Sequence, residues 1–80
     1  MQIIEVRPIG DGWAVKAEGV TADMVFAAGS AAELAARRLA QRLAVAGTPS
    51  ELRIRLRDGS LAGRFLSPAI HETGDRRAAA

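Results

Sequence analysis

Eighty residues are enough for one small domain and too few for two, and a chain of this size buries only about 60–65% of the surface it exposes when unfolded. With no cysteine there is no disulfide or thiolate–metal framework, so stability must come from packing or from a second subunit. Eleven Lys and Arg against nine Asp and Glu leave a formal net charge of +2, too small a bias for bulk charge to indicate nucleic acid.

The start, Met-Gln-Ile-Ile-Glu, has no basic region leading into an apolar run of signal length. No apolar stretch approaches the roughly 20 residues of a membrane span. The expectation is a cytoplasmic protein with no membrane association, and the absence of cysteine suits a reducing compartment.

From Gln2 to Pro8 the chain alternates, with Ile4 and Val6 opposite Ile3, Glu5 and Arg7. Ile9-Gly10-Asp11-Gly12 then offers a tight reversal. Trp13, Val15 and Ala17 alternate with Ala14, Lys16 and Glu18, which predicts a second strand pairing antiparallel with the first and ending at Gly19. Thr21 to Ala27, with Met24 and Phe26 on one side and Asp23 and Val25 on the other, reads as a third strand.

Ser30 followed by Glu33 has the spacing of a capping box, and Ala31 to Ala46 is an alanine-rich run of high helix propensity. Gly47 and Pro49 mark its end. At 100° per residue Ala32, Ala35, Ala36, Leu39, Leu43 and Ala46 share a side, which is expected to pack on the sheet. Leu34 and Val45 project elsewhere. Trp13, Phe26, Leu39, Leu43 and Phe65 are the large groups expected to fill the thin layer between helix and sheet.

Residues 51 to 57, Glu-Leu-Arg-Ile-Arg-Leu-Arg, run straight into Asp58-Gly59. Strict alternation puts Leu52, Ile54 and Leu56 on one face and Arg53, Arg55 and Arg57 on the other, successive arginines standing roughly 7 Å apart. Beyond the turn Leu61, Gly63 and Phe65 alternate with Ala62, Arg64 and Leu66, closing a second hairpin before Ser67-Pro68. The predicted architecture is therefore α+β: a small antiparallel sheet of four to five strands with one helix on one face. It comprises a single domain over residues 1–67 and a flexible tail over 68–80.

Several of these segments together carry a resemblance. Val6-Arg7-Pro8, Asp11-Gly12-Trp13-Ala14-Val15-Lys16, the helical Ala35-Ala36-Arg37-Arg38-Leu39-Ala40, and Glu51-Leu52-Arg53-Ile54 leading to Arg57-Asp58-Gly59 are similar to the small bacterial family called domain of unknown function 2188. The likeness covers roughly residues 4 to 62, and its most specific element is the Asp-Gly-Trp-Ala-Val-Lys segment. The resemblance implies a compact hairpin, helix, hairpin fold. It carries no activity and hence no catalytic residue.

The chemistry-bearing residues point the same way. The only histidine, His71, lies in the tail with no scaffold to hold it beside a nucleophile. The carboxylates of Glu5, Asp11, Glu18, Asp23, Asp58 and Glu72 have no spacing that builds a metal cage, and Asp11 and Asp58 read as turn residues. Gly10-Asp11-Gly12 joins two strands and opens no helix, so it is not a phosphate loop. The expectation is a non-enzymatic protein with no cofactor, no metal and no identified small-molecule substrate.

What remains is the sheet face that a single helix leaves open. Arg7, Lys16, Arg53, Arg55, Arg57 and Arg64 share it with Glu5, Glu18 and Glu51, six cations against three anions, and form the candidate binding face. The plain reading, which outweighs nucleic-acid binding, is that the arginines face the glutamates as cross-strand pairs on a solvated sheet; two functional readings stand beside it. The first is an interaction or accessory module that self-associates through its sheet as a homodimer, since Ile3, Ala14, Val25, Ala62 and Leu66 lie among those charges and small domains gain stability by covering such a surface. The alternative is nucleic-acid binding through the arginine ladder, whose spacing approximates that of backbone phosphates. Against it, all three aromatic residues are assigned by register to the opposite face.

Overall fold

The computed structural model describes residues 1–70; His71 and the remainder of the expected tail, 71–80, lie outside the described residues. Five strands and one helix follow one another as β1 (Gln2–Ile9), β2 (Gly12–Ala17), β3 (Met24–Phe26), α1 (Gly29–Val45), β4 (Ser50–Arg55) and β5 (Leu61–Ser67). They form one sheet in the order β3-β2-β1-β4-β5 with the helix against one side. The α+β class and both hairpins are as expected.

The sheet is mixed where an antiparallel one is predicted. β1 pairs antiparallel with β2, β2 with β3 and β4 with β5, but β1 and β4 run parallel, with Ile4 opposite Leu52 and Val6 opposite Ile54. The cause is that the chain reverses four times, on entering β2, β3, α1 and β4 in turn, so β4 runs in the direction of β1 and pairs with its free edge after a helical crossover. The third strand is also shorter than predicted, three residues in place of seven.

Alternation assigns the faces correctly over most of the sheet. Ile4, Val6, Val15 and Leu52 are buried against the helix, with the alanines Ala32, Ala36, Ala40 and Ala44 above them. These alanines are four apart, one inclined ridge of the helix, so the contact uses a row with no side chain beyond Cβ and lets the helix sit close. Ala46, expected in that contact, is exposed, while Trp13, Phe26, Leu39 and Leu43 flank the core half-buried. Phe65 departs further, being 43% exposed at the sheet's edge instead of filling the core.

The capping box at Ser30 does not form. Ala28, extended at φ −117° and ψ 143°, is the cap, and it offers no side-chain hydrogen bond. Glu33 instead accepts from Arg37 Nη2, one turn on, at 2.8 Å. The helix starts at Gly29, which sits on the Trp13 indole so closely that a Cβ there would lie 2.9 Å from Cε2. The C-terminus matches expectation. Gly47 at φ +90° donates to the Ala44 carbonyl and Thr48 to that of Leu43, the paired bonds of a Schellman turn. Ile70, beyond the last strand, also donates to the Ala44 carbonyl at 2.9 Å.

The strand bearing the arginines stops at Arg55, two residues sooner than alternation predicts. Leu56 N–H donates to the Ser60 carbonyl and Gly59 N–H to that of Leu56, closing a loop of Arg57, Asp58 and Gly59 with Gly59 at φ +88°. Asp58 accepts from the Ser60 N–H and Oγ, the turn role expected of it. Leu56 is consequently exposed and has left the core face. The register then shifts, Ile54 opposing Gly63 but Arg55 opposing Leu61, so Ala62 is an extra residue in β5. That bulge brings Leu61 opposite Arg55, although strict alternation places it with Phe65.

Candidate functional site

The open face of the sheet is built by odd-numbered residues of β1, β4 and their even-numbered partners on β2 and β5. Because Ile4, Val6, Leu52 and Ile54 turn toward the helix, Ile3, Glu5, Arg7, Glu51, Arg53 and Arg55 must turn away from it. Register then sets Lys16 beside Glu5, Arg64 beside Arg53 and Leu66 beside Glu51. Ala14, between Arg7 and Val25 in the ladder, is only 1% exposed.

Glu51 is the centre of this face. Arg64 donates to it from Nε at 2.8 Å and from Nη2 at 3.2 Å, and Arg53 donates from Nε at 2.5 Å. Its residue surface is 2% exposed because the two guanidinium groups cover it, not because it enters the apolar layer. The hydrogen bonds from Arg64 and then Arg53 lower its pKa from 4.5 to about 2. The same bond raises that of Arg64. A second pair forms across the parallel strands, Arg55 Nε to Glu5 at 3.0 Å, and Arg55 also donates to the Gly59 carbonyl at 3.2 Å.

The candidate binding face is therefore divided. Arg53, Arg55 and Arg64 are joined to carboxylates within the chain, whereas Arg7, Lys16 and Arg57 form no salt bridge among the described residues. Arg57 is in the β4–β5 loop and not on the strand, yet it shares with Arg7 and Arg55 a shallow depression of about 300 Å³. Lys16 and Arg53 line another of about 250 Å³ with Ile3, Glu5 and Glu18. No group of three or more His, Cys, Asp or Glu is placed to hold a metal ion among the described residues, and no described helix is long and apolar enough to cross a membrane.

The edges of the sheet differ. β3 presents three residues, β5 seven. Along β5 the large apolar residues Leu61, Phe65 and Leu66 are exposed, Leu66 to 65%. Phe65 lies on the helix side with the Arg37 guanidinium carbon 4.8 Å above its ring centroid. The pairing of arginines with glutamates on this face is as the sequence suggests, but the sequence does not single out Glu51 as the residue that holds two of them, and it assigns Phe65 to the core and not to the surface. The spacing of Glu51 and Arg53 already put those two on one face, but the approach of Arg64 depended on the hairpin register.

A five-stranded sheet covered on one side by a single close-packed helix, and lacking convergent reactive groups among the described residues, defines a small α+β domain. Compared with known protein families, residues 4–64 match "Uncharacterized protein conserved in bacteria (DUF2188)", and the chain belongs to that family. Comparison with curated proteins and with solved structures gave no match.

Proposed function

We infer that the chain is a non-enzymatic interaction domain that self-associates through its sheet, acting in the cytoplasm. The observation that carries this reading is β5, a seven-residue strand at the sheet's edge with Leu61, Phe65 and Leu66 exposed along it. Unpaired N–H and C=O groups beside exposed apolar side chains form a template for another strand, and a domain this small gains stability by covering them.

Nucleic-acid binding is the weaker reading. A phosphate backbone needs cations free to replace its counterions, and Arg53, Arg55 and Arg64 would first have to release Glu51 and Glu5. Trp13, Phe26 and Phe65 lie toward the helix side, leaving no aromatic ring on the open face for a base to stack upon.

Sedimentation velocity over a dilution series, at low and high salt and with short single-stranded and duplex oligonucleotides, separates the two. The expected result is a dimer that ignores oligonucleotides and persists in salt. A monomer that becomes heavier with an oligonucleotide at low salt and releases it at high salt overturns the reading in favour of the arginine face.

A further inference from the structure

Sheet edges are ordinarily guarded by charge, proline, bulges or brevity. β3 is guarded by its length of three residues. β5 carries one charge, Arg64, and that guanidinium is turned onto Glu51 by two hydrogen bonds. Among the described residues the guards of β5 stand only at its ends, the bulge at Ala62 and Pro68, which has no N–H to donate. Between them lies an unbroken window, Gly63 to Ser67.

We propose that two copies of this chain join through this window, β5 antiparallel to β5, with Phe65 opposite Phe65 and the two sheets continuing as one. The proposal rests on the self-association reading and names its contact. A two-fold axis perpendicular to the sheet keeps each face on its own side, so some residue must stand opposite its own copy. Centring on Phe65 uses all of the window, setting Gly63 against Ser67 and Arg64 against Leu66. Centring on Arg64 brings two guanidinium groups face to face and runs into the bulge, and centring on Leu66 sets Pro68 against Arg64; both are poorer.

The residues equidistant from Phe65 suit each other, which selects a second copy as the occupant. On the helix side the Phe65 ring folds over Gly63, where a Cβ would meet Cε2 at 3.0 Å, and a second ring comes alongside it. Each ring already lies beneath its own Arg37. On the open side the exposed Leu66 meets the aliphatic stem of the other Arg64, whose charge Glu51 holds.

Sedimentation of the wild-type protein, followed by isotope-filtered NMR on a mixture of labelled and unlabelled chains, tests this directly. A dimer with intermolecular contacts between Gly63 and Ser67 and between Phe65 and Phe65 is the expected result. A dimer whose contacts involve only open-face residues such as Ile3 and Val25 overturns the edge proposal and leaves self-association standing. A monomer at millimolar concentration overturns both. Phe65→Lys, with its fold checked by circular dichroism, is expected to weaken dimerisation about tenfold or more by setting two ammonium groups opposite each other; unchanged dimerisation by a folded variant overturns the proposal.

Discussion

Glu51 shows how one carboxylate changes the meaning of an arginine ladder. Three donor groups from Arg64 and Arg53 converge on it, so the face has fewer available cations than its sequence displays. Its folded pKa, about 2 against 4.5 ordinarily, lies below the unfolded value, so it contributes stability above about pH 4.5 that is lost as pH falls toward 2. Urea midpoints measured through this window are expected to fall for the wild-type protein and to fall less for Glu51→Gln. Equal slopes would show that the clamp adds nothing to the fold. Ser50, one residue earlier, makes the opposite case: its Oγ is buried and has no hydrogen-bond partner among the described residues. Ser50→Ala is therefore expected to leave stability unchanged or raise it by about 1 kcal/mol, since it removes an unsatisfied hydroxyl; a clear loss in urea denaturation would mean that the hydroxyl has a partner.

At the scale of the element, the helix is defined by what its inner row lacks. Ala32, Ala36, Ala40 and Ala44 are at most 7% exposed and leave no room for larger side chains. Ala36→Leu, which keeps helix propensity, is expected to cost about 1–3 kcal/mol through overpacking against the sheet. The helix start makes the same point. Alanine is the better helix former, yet Gly29→Ala is expected to destabilise because its methyl meets the Trp13 ring, and thermal denaturation of the two variants beside Ala35→Gly separates packing from propensity. A Gly29→Ala protein of raised stability would show that Trp13 moves aside freely.

For the whole molecule, the mixed sheet decides which surfaces are available. Placing β4 next to β1 puts Glu5 within reach of Arg55 and leaves β5 as the long edge. If the domain acts through that edge, Arg53→Ala combined with Arg55→Ala is expected to leave dimerisation within about twofold of wild type, because neither residue is on β5. If nucleic acid is the partner, the same double variant abolishes binding, and binding by the wild-type protein falls steeply with salt. Sedimentation and fluorescence anisotropy on that single variant report both outcomes.

The elements and their faces were legible in the chain because they are set by local periodicity: Ile4 and Val6 against Glu5 and Arg7, the alanine-rich helix, Gly47 at its end, and the turns at Gly10–Gly12 and Asp58-Gly59. Family membership was legible for the same reason, since Asp11 to Lys16 and the later Arg57-Asp58-Gly59 turn are short contiguous segments. Only the tertiary structure decided that β4 pairs parallel to β1, that Gly29 packs on Trp13, that Ala62 bulges, and that Phe65 is at the surface. Each of these depends on which distant segments touch. Alternation fixes the side of a sheet on which a residue lies, but not its neighbour across the ladder, and the neighbours decide whether an arginine is a binding group or already bound.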